Sequence, residues 1–201
     1  MSFSKSLDCE YKQLQLLNFK PKMSVLFKKS YWKFLIKSSN QHGIHSPFVY
    51  FLITECFYKK RKNKNNYKKN GGFPKLIKNK HLLVLDDFIN YFNVSKYTLI
   101  CNDKHQIEKL DNLNGCMTTD KIEKTDLVYV SAINANSNNC IDVLKKQKNN
   151  SVLVVEAPYQ FPNKWRELKS NATSNIIVDT YFWGFIFKRE QQRPEEFKIR
   201  L

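Results

Sequence analysis

Beyond residue 95 the chain alternates short apolar runs with polar or amphipathic stretches. The runs are YTLIC (97–101), DLVYV (126–130), SVLVVE (151–156) and NIIVDTY (175–181). Between them KHQIEKL, CIDVLKKQK and PNKWRELKS have the spacing of short helices. Runs apolar on both faces and joined by helices predict a parallel α/β sheet. The ending differs: FWGFIFKRE and EFKIRL, linked by the polar QQRPE, predict an antiparallel hairpin that closes the sheet. Before residue 95 the period is helical. In MSVLFKKSYWKFLIKS (23–38), Phe27, Tyr31, Phe34 and Leu35 share one face, while Lys29, Lys33 and Lys37 share another. Further helices are expected over 47–58 and 82–92.

This pattern divides the chain into a helical cap (1–58), a Lys/Asn-rich basic linker (59–80) and an α/β domain (81–201). Charge sharpens the division. Of the net +16, a net +15 falls in the first 80 residues, and residues 59–80 alone carry ten Lys/Arg and no acid. Such a run is either a solvated linker or an arm that contacts a polyanion, nucleic acid or anionic lipid. Only Tyr67 and Phe73 interrupt it, too few for a base-stacking platform. The amphipathic helix has two corresponding readings, packed on the protein's own core or lying on a membrane. No run of 18 apolar residues is present, so no transmembrane segment is expected, and the first residues lack a signal-peptide core. Five cysteines without a C-x-x-C pair fit reduced thiols and a cytoplasmic location.

Candidate chemistry is sparse. There is no G-x-S-x-G, P-loop or H-E-x-x-H. Trp32, Trp165 and Trp183 read as packing anchors, and Cys101 as a buried thiol without a basic partner. The stretch NQHGIHSPF (40–48) stands out. His42 and His45 have no further donors at zinc-ligand spacing, so no metal is expected. A structural reading accounts for the rest: Gly43 allows a positive-φ exit from the preceding helix, Ser46 caps the next, Pro47 takes its first position and Phe48 begins its packing. The other reading is a substrate-side role for the two histidines.

The segment YWKFLIKSSNQHGIHSPFVYFLITECFY (31–58), with the ending VDTYFWGFIFKREQQRPEEFKIRL (178–201), resembles a group of bacterial class I S-adenosylmethionine-dependent methyltransferase-like proteins. Their N-terminal segment also reads H-G-(I/L)-H-S-P-F. The stretches FINYFNVSKYTLICND, KTDLVYVSA and SVLVVEAPYQFPNKWRELK follow in the family's order. The resemblance implies a Rossmann-like methyltransferase sheet, S-adenosylmethionine as cofactor and a small-molecule methyl acceptor. It places Cys101, Asn102, Asp103, Ser131 and Glu156 on the cofactor side. The departures lie there too. Cys101, Asn102 and Asp103 stand where the family reads roughly Glu-Leu-Gly, and the nearest following glycine is Gly115. Only residues 102–126 separate the first two long apolar runs, where the family fits two strands and three helices, so the sheet is expected to be shortened on that side. Val130, Ser131 and Ala132 replace an expected I-D-G, and only Glu156 survives where two acids would hold a metal. The expectation is a degenerate family member with weak or no methyl transfer. An active divergent methyltransferase using Asp103 and Glu156, and a basic nucleic-acid or membrane-surface binder, are the alternatives.

Overall fold

A computed structural model of the chain describes residues 25–58, 87–100, 117–118, 121–131, 139–172 and 175–201. The lysine-rich stretch 59–80, the expected helix over 104–110, half of the one expected over 82–92, and Cys101, Asn102 and Asp103 lie outside these residues. The chain divides into two compact units, residues 1–33 and 34–201. The described part of the first belongs to helix α1 (Val25–Lys37), where Phe27 and Tyr31 stack one turn apart.

The second unit is built on a seven-stranded sheet. Its strands are β1 (Lys96–Ile100), β2 (Met117–Thr118), β3 (Leu127–Val130), β4 (Val152–Glu156), β5 (Asn175–Asp179), β6 (Trp183–Lys188) and β7 (Glu195–Lys198). Their order across the sheet is β2-β1-β3-β4-β6-β5-β7. Only β6 runs against the others. This mostly parallel α/β layout is compatible with a Rossmann-like fold.

Register explains why β3 to β6 are apolar on both sides. Val128, Val130, Leu153, Val155, Ile177 and Ile186 form one core layer. It packs against Cys140, Val143 and Leu144 of α4 (Asn139–Lys146) and Trp165 and Leu168 of α5 (Pro162–Asn171), numbering as α2 the helix Pro47–Phe51 and as α3 residues 87–91. On the opposite face Phe185 and Phe187 of β6 meet an aromatic layer. Phe48 meets Phe187 edge-on at 5.0 Å, while Phe88 stacks on Phe185 at 5.0 Å and Phe57 lies 5.3 Å from it. Phe48 belongs to α2, which continues as a π-helix over Leu52–Phe57, and Phe88 belongs to α3.

Two sequence expectations are corrected here. First, β6 and β7 do not form a hairpin. The antiparallel turn joins β5 to β6 through Thr180–Phe182, and β7 lies on the far side of β5, parallel to it. The reason is burial. Every β6 residue from Trp183 to Phe187 is buried, which requires a strand on each side, whereas β7 is exposed over Glu195 and Glu196 and suits an edge. The polar residues 189–194 are long enough to carry the chain past the start of β5. Second, Gly43 does not adopt a positive φ. Instead Asn40 caps a 3-10 turn, Gln41–Gly43, by accepting a hydrogen bond from the His42 amide at 3.1 Å. The preceding helix ends where Ser39 leaves it to bridge β7: the Ser39 amide donates to Lys198 O at 2.7 Å and Ser39 O accepts from the Arg200 amide at 3.2 Å.

The expected start of the next helix is present. Ser46 Oγ accepts from the Val49 amide at 3.5 Å, and Pro47 occupies the first helical position. At the entrance of β3, Asp126 ties three segments together. Its Oδ2 accepts from the Ser95 amide (3.0 Å), the Ser95 hydroxyl (2.8 Å) and the Lys96 amide (3.0 Å), and its Oδ1 from Lys148 Nζ (2.6 Å).

Candidate functional site at the carboxyl edge of the sheet

From β1 the chain moves to β2 on one side and then to β3 on the other, so strand order reverses between β1 and β3. In open α/β sheets ligands bind beyond the carboxyl ends of the strands at such a switch point. Ile100 and Val130 flank that point, and along the same carboxyl edge follow Glu156 of β4, Trp183 at the start of the reversed β6, and Asp179 of β5. The ladder holds to the rim: the Ser131 amide donates to Ile100 O at 3.2 Å.

Two of the cofactor-side candidates meet here. Val130 pairs with Val155, so the next residues, Ser131 and Glu156, are neighbours on the same face of the sheet. Trp183 is the register partner of Glu156 across β4 and β6, and its ring lies 6.3 Å from that of Tyr129. All four side chains are buried: Glu156 is 1% exposed and Ser131 3%. A carboxylate sunk to this depth costs several kcal/mol unless neighbouring groups compensate its charge. Cys101, Asn102 and Asp103 follow Ile100 directly in the chain but lie outside the described residues.

The loops next to this cluster hold unusual backbone. Ala157 adopts φ 46° and Tyr181 φ 72°, both in the left-handed region that costs residues other than glycine roughly 1–3 kcal/mol. The two turns are clipped together, with the Ala157 amide donating to Phe182 O at 2.8 Å. Tyr159, on the 3-10 turn Pro158–Gln160, stacks on Tyr181 with ring centres 4.7 Å apart and planes 3° from parallel. Burial raises the Tyr159 pKa and the Glu156 charge raises it further, against a hydrogen bond from Gln160 that lowers it. The phenol therefore keeps its proton beside Glu156 and can donate a hydrogen bond at neutral pH.

A second carboxylate at this edge is structural. Asp179 Oδ1 accepts from the Tyr181 amide (2.8 Å) and Oδ2 from Trp165 Nε1 (3.0 Å), which shapes the β5–β6 turn. Burial raises its pKa, and those two hydrogen bonds partly offset the rise. Thr180 completes the turn by accepting from the Trp183 amide at 3.2 Å.

The H-G-I-H-S-P-F segment lies elsewhere. His42 is exposed on its 3-10 turn. His45, Ser46 and Pro47 form one wall of a cleft of about 230 Å³, faced by Gln192, Arg193 and Glu195. Ile176 also lines it, near the amino end of β5 and three residues, about 10 Å, from Asp179. The histidines are thus not brought together with Ser131 and Glu156. Among the described residues no group of three or more His, Cys, Asp or Glu side chains is placed to hold a metal ion, and no helix is long and apolar enough to cross a membrane.

Tyr129, Tyr159, Asp179 and Trp183 were not singled out as site residues by the sequence. In a strand buried on both faces no alternation marks which side chains turn toward a ligand, so the Glu156–Trp183 pairing carried no local signal. Comparison with protein-family models, curated proteins and solved structures finds no match to this chain.

Proposed function

We propose that this protein is a shortened, degenerate relative of the bacterial class I S-adenosylmethionine-dependent methyltransferase-like proteins, serving as a binding protein with little or no methyl transfer. The observation that carries this reading is the short span of chain between β1 and β3, beside the switch point. Among the described residues β2 pairs with Lys96 and Tyr97, the amino-terminal part of β1, with Thr118 opposite Tyr97. Only residues 102–126 lie between Cys101 and β3, where the family resemblance expects two strands, three helices and a ribose-binding acid. That length supports a pocket cut back on its adenosine half. In this reading the buried Ser131–Glu156–Trp183 cluster at the carboxyl edge is the remnant of the family's site. Activity resides in such a site and not in the fold.

Isothermal titration of S-adenosylmethionine and S-adenosylhomocysteine into the full-length protein tests the reading. The expected result is no heat up to millimolar ligand. Micromolar binding that is weakened by Glu156→Gln would replace this reading with the active-methyltransferase alternative, and a screen of small methyl acceptors would follow.

A further inference from the structure

The cleft beside the second histidine is built with more order than a surface dent requires. Ser46 is buried and held by its capping bond to Val49. On the facing wall the Arg189 guanidinium lies 4.1 Å above the ring of Phe48, and Arg189 Nε donates to Gln192 Oε1 at 2.5 Å. That bond commits the amide oxygen of Gln192 to Arg189 and leaves its NH₂ group available to donate. The phenylalanine of the H-S-P-F segment thus fixes, through Arg189, the wall opposite its own serine and proline.

Among the described residues, the ionisable side chains of His45, Arg193 and Glu195 line this framework with no hydrogen bond or ion pair. Arg193 and Glu195 carry opposite charges, are separated only by Pro194, and do not pair with each other. Pro47 adds apolar surface, while Ile176 is buried beneath the cleft. At about 230 Å³ the cleft is smaller than the 300–1,000 Å³ typical of drug-sized sites and suits a small metabolite.

We propose that this cleft binds a small zwitterion of the α-amino-acid type, with its carboxylate on Arg193, its ammonium on Glu195 and its side chain against Pro47. A guanidinium matches a carboxylate in a two-pronged hydrogen bond, and a carboxylate matches an ammonium. A ligand with only one charge would satisfy one of the two side chains and leave the other with no partner. The proposal does not depend on the crevice at the carboxyl edge, since the two sites share no residue.

Each of the twenty proteinogenic L-amino acids, at 10 mM, would be tested for a thermal shift of the full-length protein, with titration calorimetry on any that stabilise it. At least one should bind at one site per chain. Arg193→Ala and Glu195→Ala should each weaken that binding ten-fold or more, with the melting temperature of the unliganded protein unchanged because both residues are exposed. The decarboxylated amine and the deaminated acid of the same compound should each bind at least ten-fold more weakly. No shift with any of the twenty overturns the proposal, as does binding that survives both substitutions. S-adenosylmethionine itself carries an amino-acid group, so any heat it gives would be re-measured on Arg193→Ala. Loss assigns that heat to this cleft, and retention assigns it to the crevice.

Discussion

Asp126 shows how much one side chain can organise. It accepts four hydrogen bonds, one of them from Lys148, and joins the start of β1, the start of β3 and the loop after α4. Burial alone would raise its pKa, but the hydrogen bonds from Lys148, Ser95 and Lys96 outweigh it and lower the value to about 2. A depressed carboxylate pKa adds stability that is complete above the unfolded value near 4 and is lost as the pH falls toward 2. With about 30% of the side chain open to solvent, screening reduces the contribution to roughly 1–2 kcal/mol. Asp126→Asn should lower stability by that amount at pH 7 and by much less at pH 2, as read from urea midpoints at the two pH values. Equal losses at both would show that packing, not charge, is responsible. Asp179 has the opposite sign: its raised pKa means that ionisation above the ordinary carboxylate value costs stability. No sequence feature separates these two aspartates, because their pKa values are set by neighbours distant in the chain.

Among elements, β6 is the one whose place was hardest to infer. Its run FWGFIF was correctly expected to be a strand, but a strand buried on both faces does not reveal its partners or its direction. Gly184 records where it ended up. A Cβ at this position would lie 2.7 Å from Trp165 Cζ2, so the glycine lets α5 settle against the sheet while Trp165 reaches Asp179. Gly184→Ala should therefore cost about 1–3 kcal/mol as the indole is pushed aside, visible as a lower melting temperature and altered indole fluorescence. A neutral result would mean that α5 can shift without loss. By contrast, α5 itself was expected over PNKWRELKS and forms over Pro162–Asn171, because its proline start and amphipathic spacing are local signals. The Ser46–Pro47 start of α2 was readable for the same reason. The positive φ expected at Gly43 was not adopted, since the asparagine before the turn took over the capping.

At the scale of the whole molecule, the aromatic layer ties the helices of residues 47–57 and 87–91 to the sheet. Phe185 is fully buried and touches Phe57, Phe88 and Phe187. Phe185→Ala should cost about 3–5 kcal/mol, measured by urea unfolding, and should increase hydrogen exchange in both helices as well as in β6. If exchange rose in β6 alone, the helices would be anchored by other contacts. The α/β class and the parallel central strands were determined by the sequence, because apolar run length, helical spacing and caps are local properties of the chain. The pairing of Ser131 with Glu156 and Trp183, the position of β6 between β4 and β5, and the separation of His45 from the carboxyl edge were decided only in the tertiary structure. Each depends on register and strand order, which are set by long-range packing between segments whose local sequences would have tolerated other partners.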